Sequence, residues 1–327
     1  MKRFALFISM FAPVLTSVVY AAAPLEIETK IPLGKVNGRI DHFAIDLGRQ
    51  RLFVAELGND SIGVIDFKER KVLRRLTGFK NPQGIAYEPS TDLLFVANAG
   101  DGSVRLFQGA DLAPAGRIDL GDDADNIRVD ARAKRVYVGY GSGAIAVIDP
   151  LHRAKIGVIP IKAHPEGFQL DPDSPRIFAN VPDAKQIAVV DRDTGKQSAT
   201  WAIGDARANF PMAIDAGQKR VLAVFRKPAK LVAYGAADGA VVADVATCGD
   251  SDDIFVDAKR RRIYISCGEG FIDVFELRDA GYQRIGHIAS VPGARTSLFV
   301  PELDRLFVAV RATAVEPAAV WVFKPAP

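Results

Sequence analysis

The feature that most constrains this chain is an apolar pentad of strand-forming residues that occurs seven times. Its first copy is Arg51-Leu52-Phe53-Val54-Ala55, and its last is Arg305-Leu306-Phe307-Val308-Ala309. The seven copies occupy residues 51–55, 93–97, 135–139, 176–180, 220–224, 262–266 and 305–309. Successive copies start 41 to 44 residues apart. A near-constant period of this size predicts an array of equal supersecondary units.

Each unit contains four short stretches separated by turn-forming residues. In the first unit they are residues 43–46, 52–55, 62–66 and 71–77, and the fourth is the most highly charged. This order is typical of a four-stranded antiparallel blade whose first strand is innermost and whose fourth is outermost. No sustained helical periodicity accompanies it. We therefore predict an all-β, seven-bladed β-propeller.

The two ends of the chain predict how the ring closes. The seventh unit ends after a third strand at residues 320–323, whereas residues 25–33 form an alternating strand that the first unit does not need. We predict that this N-terminal strand pairs into the last blade as its outer strand, because closure removes the open edges of a linear array. Residues 24–327 then form one domain, with about 43 residues in each of seven units.

Residues 1–23 are predicted to be a signal peptide. Lys2 and Arg3 give a basic start, residues 4–19 are mostly apolar, and Ala21-Ala22-Ala23 is a small-residue cleavage site. The apolar run is short and is broken by Ser9 and Pro13, which argues against a membrane anchor. We expect a monomeric protein that is periplasmic or secreted and has no membrane span.

The net charge bears on the class of partner. The chain has a formal charge of +3, and removing Lys2 and Arg3 with the signal peptide leaves +1. A near-neutral chain gives no electrostatic basis for binding nucleic acid. Nucleic acid is therefore not expected as a partner.

The chain has two cysteines, Cys248 and Cys267. Export makes a disulfide chemically possible. If residues 254–257 and 262–266 pair as a hairpin, the two cysteines lie nearly opposite each other at its open end. We predict a Cys248–Cys267 disulfide, with two free thiols as the alternative.

Two of the units carry a recognisable pattern. Phe95-Val96-Ala97-Asn98 is followed by residues 103–107, and residues 53–56 are followed by 62–66. An aromatic-Val-x-Asn strand before an alternating Val-x-Val-Ile-Asp strand resembles the YVTN-type β-propeller repeat. The resemblance extends over the whole mature chain and implies a seven-bladed propeller. Relatives of this type include surface-layer-like and lactonase-like proteins, so it implies no single role.

The candidate site residues lie nine to thirteen positions before the pentads. These loops lead into the first strands and are expected to gather on one face, around the mouth of the central channel. The aspartates at 46, 130, 171, 215 and 257 recur from unit to unit, and we assign them to turns. The positions that differ between units are the ligand-binding candidates: Arg39, Asp41, His42, Gln83, Asp125, Asn126, His164, Glu166, Arg207, Asn209, Asp252, Asp253 and Arg295.

These residues support two functional interpretations. Arg39, Arg207 and Arg295 offer bidentate donors for a carboxylate or phosphate. The first interpretation is therefore a binding protein that takes a small polar or anionic ligand, or the loop of a protein partner, at the channel mouth. A solvated rim whose charges pair with one another is the alternative without function.

The second interpretation is a metal-dependent hydrolase or lyase of lactonase type. Gluconolactonase-like propellers hold a cation at the channel mouth with Glu, Asn and Asp, and Glu166, Asn126 and Asp253 are of similar type here. The predicted metal ligands are His42, His164, Glu166 and Asp253, with Asp125 in the same register. Oxygen ligands suit Ca²⁺, Mg²⁺ or Mn²⁺, whereas imidazole favours transition metals. No serine or cysteine nucleophile motif accompanies them.

Overall fold

A computed structural model of the chain describes residues 23–279 and 281–327. Within these residues, 28 β-strands form seven sheets of four antiparallel strands each. Helix is limited to two short 3-10 turns, Leu57–Asn59 and Ala216–Gln218. The predicted all-β, seven-bladed propeller is thereby confirmed. The predicted signal peptide lies, except for Ala23, outside the described residues.

The first strand of each blade faces the channel, and these strands contact one another around a closed circle. Blades 1 to 3 consist of β2 (Phe43–Asp46), β3 (Arg51–Glu56), β4 (Ser61–Asp66), β5 (Lys71–Thr77); β6 (Pro82–Glu88), β7 (Leu93–Asn98), β8 (Ser103–Gln108), β9 (Ala113–Asp119); and β10 (Ala124–Asp130), β11 (Arg135–Tyr140), β12 (Ala144–Asp149), β13 (Ala154–Pro160). Blades 4 and 5 consist of β14 (Phe168–Leu170), β15 (Arg176–Val181), β16 (Gln186–Asp191), β17 (Lys196–Ala202); and β18 (Arg207–Asp215), β19 (Arg220–Lys227), β20 (Ala229–Gly235), β21 (Val241–Ala246). Blades 6 and 7 consist of β22 (Ser251–Asp257), β23 (Arg262–Cys267), β24 (Phe271–Arg278), β25 (Gly281–Ala289); and β26 (Ser297–Val300), β27 (Arg305–Val310), β28 (Ala319–Pro325) with β1 (Leu25–Pro32).

The pentads form the second strands, which lie in the middle of the core. Leu52, Phe53, Val54 and Ala55 of β3 have no exposed surface. Their side chains alternate between the two faces of the blade, and each face packs against a neighbouring blade, so both sets are apolar. By contrast, the outer strand β5 is mostly exposed and correspondingly charged.

The recurring aspartates hold turns. The Asp46 carboxylate accepts a hydrogen bond from the backbone N–H of Arg49 at 3.0 Å, and Asp257 accepts one from Arg260 at 3.2 Å. Asp130, Asp171 and Asp215 make equivalent bonds to backbone N–H groups two or three residues further on. A carboxylate that satisfies turn amides in this way stabilises the hairpin between the first and second strands.

The ring closes as predicted. Strand β1 is the outermost strand of blade 7 and pairs antiparallel with β28, with Leu25 opposite Pro325 and Pro32 opposite Ala319. Ile31 is fully buried in the core between blades 7 and 1. No helix among the described residues is long and apolar enough to cross a membrane.

The predicted disulfide is present. Cys248 and Cys267 are bonded, with their Cα atoms 5.9 Å apart. Cys267 ends β23 opposite Ser251, and Cys248 lies just before β22 in the same blade. The bridge therefore ties the connection from blade 5 to the sheet of blade 6.

Candidate functional site

The central channel widens on one face into a cavity of 690 Å³ that all seven blades line; we call it the funnel. Most of the predicted site residues lie on its wall: Arg39, His42, Gln83, Asp125, Asn126, His164, Glu166, Asp252, Asp253 and Arg295. The structure therefore gathers side chains that are up to 256 residues apart in the sequence around one cavity.

Three predicted residues lie elsewhere. Asp41 is fully buried behind the wall, with its carboxylate 2.8 Å from the Arg39 guanidinium. Arg207 donates to the backbone carbonyls of Gly204 and Ala206 in its own loop, at 2.9 and 2.7 Å. Asn209 is fully buried and donates to Asn180 at 3.0 Å, which ties blade 5 to blade 4.

Irregularities in the first strands position several funnel residues. The pairing of β10 with β11 shifts between Ala124 and Ile127, so Asp125 and Asn126 lie in a β-bulge. Similar shifts occur at Gln83 in β6 and at Asp252 in β22. A bulge bends its strand and re-aims the side chains it carries. These local departures from the ladder place polar groups at the mouth of the channel.

Five polar funnel residues were missed by the sequence prediction: Asp123, Arg128, Gln169, Arg226 and Ser297. Arg128 and Gln169 lie seven residues before their pentads, where the other blades have Ala44, Ala86, Ala213, Phe255 and Leu298. Residues two apart in a strand share a face, so this position faces the channel as the position nine before the pentad does. A polar side chain where the other copies are apolar was the available signal.

One side of the funnel carries a network of paired charges. Arg226 donates to Asp252 at 2.7 Å, and its guanidinium lies 4.0 Å from the centre of the Phe210 ring. Arg295 lies 2.9 Å from both Asp250 and Asp252. Arg39 approaches Asp252 at 3.7 Å. Three arginines and their aspartates thus largely neutralise one another on this side.

His42 lies between two carboxylates. Its Nε2 is 3.6 Å from Asp41, and its Nδ1 is 3.5 Å from Asp253. Asp253 also accepts a hydrogen bond from the Ser297 backbone N–H at 2.7 Å. Burial alone would lower the pKa of His42, but Asp253 and Asp41 outweigh it and raise the pKa to about 10. Both ring nitrogens of His42 are therefore directed at carboxyl groups that favour its protonated form.

The opposite side of the funnel holds Asp125, His164 and Glu166. One ligand atom from each residue lies within 4.8 Å of the others, and the described residues contain this single group of such ligands. Burial and the charge of Asp125 raise the pKa of Glu166 to about 7. Burial lowers the pKa of His164, but Asp125, the Gly141 carbonyl and Asp123 raise it to about 9. This side therefore places two carboxyl groups beside one imidazole.

Arg128 projects into the funnel from the middle of β10. Its guanidinium packs 5.4 Å from the centre of the Phe168 ring and donates to the backbone carbonyl of Ile127 at 2.7 Å. Burial lowers the pKa of Arg128, against the more distant charges of Asp253 and Asp125. Among the described residues, no carboxylate lies within ion-pair distance of it.

The fold and the funnel define a seven-bladed β-propeller with a charged central cavity. No protein-family model matches the sequence. No curated protein matches it either.

Solved structures share the architecture. One chain in a crystal structure of a mitotic checkpoint complex superimposes with a TM-score of 0.77 at 14% identity, covering 98% of this chain and 99% of that one. A chain of the hydrazine synthase of Kuenenia stuttgartiensis gives a TM-score of 0.72 at 18% identity, covering 93% and 100%. At these identities the likeness establishes the fold alone.

Proposed function

We propose that this chain is an exported β-propeller that binds a small anionic ligand in its funnel. The observation that carries the proposal is Arg128. A guanidinium is almost never deprotonated in proteins. Arg128 is half-buried, and a charge that is withdrawn from water is normally paired. Arg128 is directed into the cavity, and the described residues supply it with no carboxylate partner. A ligand carboxylate or phosphate would supply that partner.

The surroundings of Arg128 suit an anion of modest size. Gln83 and Asn126 line the same cavity from blades 2 and 3 and carry amide donors. The other arginines of the funnel are less available, because Arg226 and Arg295 already contact Asp252. The volume of 690 Å³ lies within the usual range for small-molecule sites. Arg128 is therefore the anchor, and the amides set orientation.

Calorimetric titration with a panel of mono- and dicarboxylates and phosphate esters tests this proposal. For an anion that binds, Arg128→Gln should weaken affinity by about 10- to 100-fold, the value of losing charge-assisted hydrogen bonds. Arg207→Gln is the matched control, since the only hydrogen bonds that Arg207 makes to the described residues go to carbonyls of its own loop. An equal loss of affinity in both variants, or an affinity that Arg128→Gln leaves unchanged, would refute the assignment.

A protein partner is the other occupant to test. The β-propeller is commonly a protein-interaction scaffold, and one of the similar structures belongs to a multi-protein checkpoint complex. A partner's acidic loop entering the funnel would meet the same Arg128. Capture from periplasmic extract on immobilised protein, abolished by Arg128→Gln and not by Arg207→Gln, would favour that occupant over a small molecule.

Export itself follows from residues 1–23. N-terminal sequencing of the protein from a periplasmic or culture-medium fraction should show a mature chain that begins near Pro24. A chain that retains Met1 in the cytosol would contradict export. Light scattering of the purified protein tests the expected monomer.

A metal-dependent hydrolase of lactonase type is the second candidate, favoured by the Asp125, His164 and Glu166 group on the funnel wall. It requires more than a bound ion, namely a lactone held with its carbonyl at that ion. Titrimetric assay of lactone hydrolysis with and without added Mn²⁺ tests it. No metal-stimulated hydrolysis over a broad lactone panel would remove this candidate and leave the binding proposal intact.

A further inference from the structure

We propose that Asp125, His164 and Glu166 form a site for one divalent transition-metal ion of the Mn²⁺ or Zn²⁺ type. The site lies on the funnel wall, between blade 3 and blade 4. It does not depend on the anion that Arg128 binds or on any hydrolytic activity. It differs from the ligand set expected from sequence, which combined His42, His164, Glu166 and Asp253.

The spacing of the three side chains suits one ion. Metal–nitrogen and metal–oxygen bonds of these ions are ~2.0–2.2 Å long, so two ligands of one ion are at most ~4.4 Å apart, and slightly more before the ion draws them in. One atom of each of the three residues lies within 4.8 Å of the others. The Nε2 of His164 and Oδ2 of Asp125 are 3.9 Å apart. That is too long for a hydrogen bond and suitable for two ligands on the same ion.

The orientation of the His164 ring is fixed by a contact of its Nδ1 atom. Its Nδ1 lies 2.7 Å from the backbone carbonyl of Gly141, which holds the proton on Nδ1 and turns Nε2 toward Asp125. Metal-binding histidines usually donate their second N–H to a carbonyl or carboxylate in this way. Oδ2 of Asp123 lies 3.6 Å from the same Nδ1. His42 has no such carbonyl contact among the described residues, and its two ring nitrogens lie 3.6 and 3.5 Å from Asp41 and Asp253.

Asp125 provides independent evidence for a bound cation, because one of its carboxylate oxygens has no hydrogen-bond partner among the described residues. The residue is 7% exposed, and its Oδ1 is buried without a hydrogen-bond partner among the described residues. A buried carboxylate oxygen without a partner is costly. Because the bulge in β10 directs Asp125 into the funnel, a bound cation would satisfy this oxygen.

The backbone around Glu166 is held rigidly. Its N–H donates to the Asn180 carbonyl at 3.0 Å, and the next N–H, of Gly167, donates to the Phe210 carbonyl at 3.0 Å. A Cβ at Gly167 would lie 2.4 Å from that same Phe210 oxygen, so the close approach of blade 5 requires glycine. The Glu166 carboxylate itself receives no hydrogen bond from the described residues. It is a preorganised and uncommitted ligand.

The donor set indicates which ion is preferred. Two carboxylates and one imidazole suit Mn²⁺ or Zn²⁺ better than Ca²⁺ or Mg²⁺, which take oxygen ligands almost exclusively. Three protein ligands leave positions open for water or another ligand on the cavity side. An ion takes the place of any proton on Nε2, since a metal ligand must be the neutral imidazole.

The test uses the mature chain after dialysis against EDTA. Elemental analysis following addition of Mn²⁺ or Zn²⁺ and gel filtration should give one ion per chain, and titration should show Ca²⁺ and Mg²⁺ binding at least about 100-fold more weakly. Asp125→Asn and Glu166→Gln should each weaken Mn²⁺ binding by about 100-fold or more, a loss at least as large as that of an outer-shell partner. No stoichiometric ion, or Ca²⁺ binding as tightly as Mn²⁺, would overturn the proposal.

Asp253→Asn is the matched control. Asp253 lines the same cavity and belonged to the ligand set expected from sequence, but it contacts His42 and the Ser297 N–H. Its replacement should leave Mn²⁺ affinity within about 2-fold, whereas a loss as large as that of Asp125→Asn would favour the other ligand set. Pulsed EPR of bound Mn²⁺ should show one imidazole nitrogen that His164→Gln removes. This spectroscopic signature separates ligation from loss of folding.

Discussion

Arg260 and Asp304 form a two-point ion pair that joins blade 6 to blade 7. The Arg260 guanidinium donates to the two Asp304 oxygens at 2.6 and 2.7 Å, and it also donates to Asp257 at 2.9 Å. Arg49 pairs with Asp92 in the same way at 2.8 and 2.7 Å, joining blade 1 to blade 2. In both cases the arginine follows a turn aspartate by three residues and reaches the corresponding hairpin of the next blade.

We expect Arg260→Gln to reduce the free energy of unfolding by about 2–3 kcal/mol, because it removes charge-assisted hydrogen bonds to the largely buried Asp257. Urea unfolding monitored by fluorescence measures the change. Arg278→Gln is the control, since Arg278 is half exposed and, among the described residues, pairs with Glu276 alone. It should cost less than about 1 kcal/mol. Similar losses in both variants would show that the contact between blades contributes little.

The same pair predicts an acid-sensitive component of stability. Arg260 lowers the pKa of Asp304 from the ordinary 3.8 to about 2. A carboxyl whose pKa is lower in the folded state stabilises the fold above its unfolded pKa, and this contribution is lost as the pH falls. The melting temperatures of the wild type and Asp304→Asn should therefore differ at pH 6 and converge between about pH 4 and 2. A constant difference over that range would contradict the assignment.

Closure of the ring by β1 should couple the N-terminus to the whole domain. Ile31→Ala opens a cavity in the core between blades 7 and 1 and should cost about 2–5 kcal/mol. Ile27→Ala is the control on the same strand, because Ile27 is 47% exposed. Unfolding of Ile31→Ala should remain a single transition when followed by far-ultraviolet and tryptophan signals. An early transition confined to one probe would mean that β1 frays independently.

Reduction of the disulfide should destabilise the protein. The bridge closes a loop with a sequence separation of 19 residues, and chain-entropy arguments give about 3 kcal/mol for a loop of this size. Thermal unfolding with and without dithiothreitol measures the effect. A Cys248→Ser, Cys267→Ser double variant provides the control, because its melting temperature should not respond to the reductant. An equal response in both proteins would mean that dithiothreitol does not act through this disulfide.

The repeat made the architecture predictable from sequence. Seven pentads set the number of blades, and the unpaired strand at residues 25–33 set the closure. Counting back from each pentad also located most of the polar side chains on the funnel wall. These inferences succeeded because strand register is strongly specified when both faces of a strand are buried. The YVTN-type repeat assignment stays a prediction, since the fold is common to proteins that share little sequence.

The site was less predictable, because the positions counted back from the pentads include turn positions as well as positions on the funnel wall. Asn81, Asp123, Ala208 and Asp250, all twelve residues before a pentad, have positive φ angles between 36° and 57°. Asn and Asp tolerate this left-handed conformation better than most residues. Their recurrence therefore reflects the turn as well as any ligand. Side-chain pairs such as His42 and Asp253 form between different blades. The spacing of residues along the chain does not determine which side chains pair in this way.

The pairing of β1 with β28 has a consequence for how the protein is made. Strand β1 finds its partner only when residues 319–325 have been synthesised. No nascent chain that stops before β28 can complete blade 7 or seal the ring. Closure of the ring is therefore one of the last events to become possible during synthesis, and until then strand β1 has no partner strand.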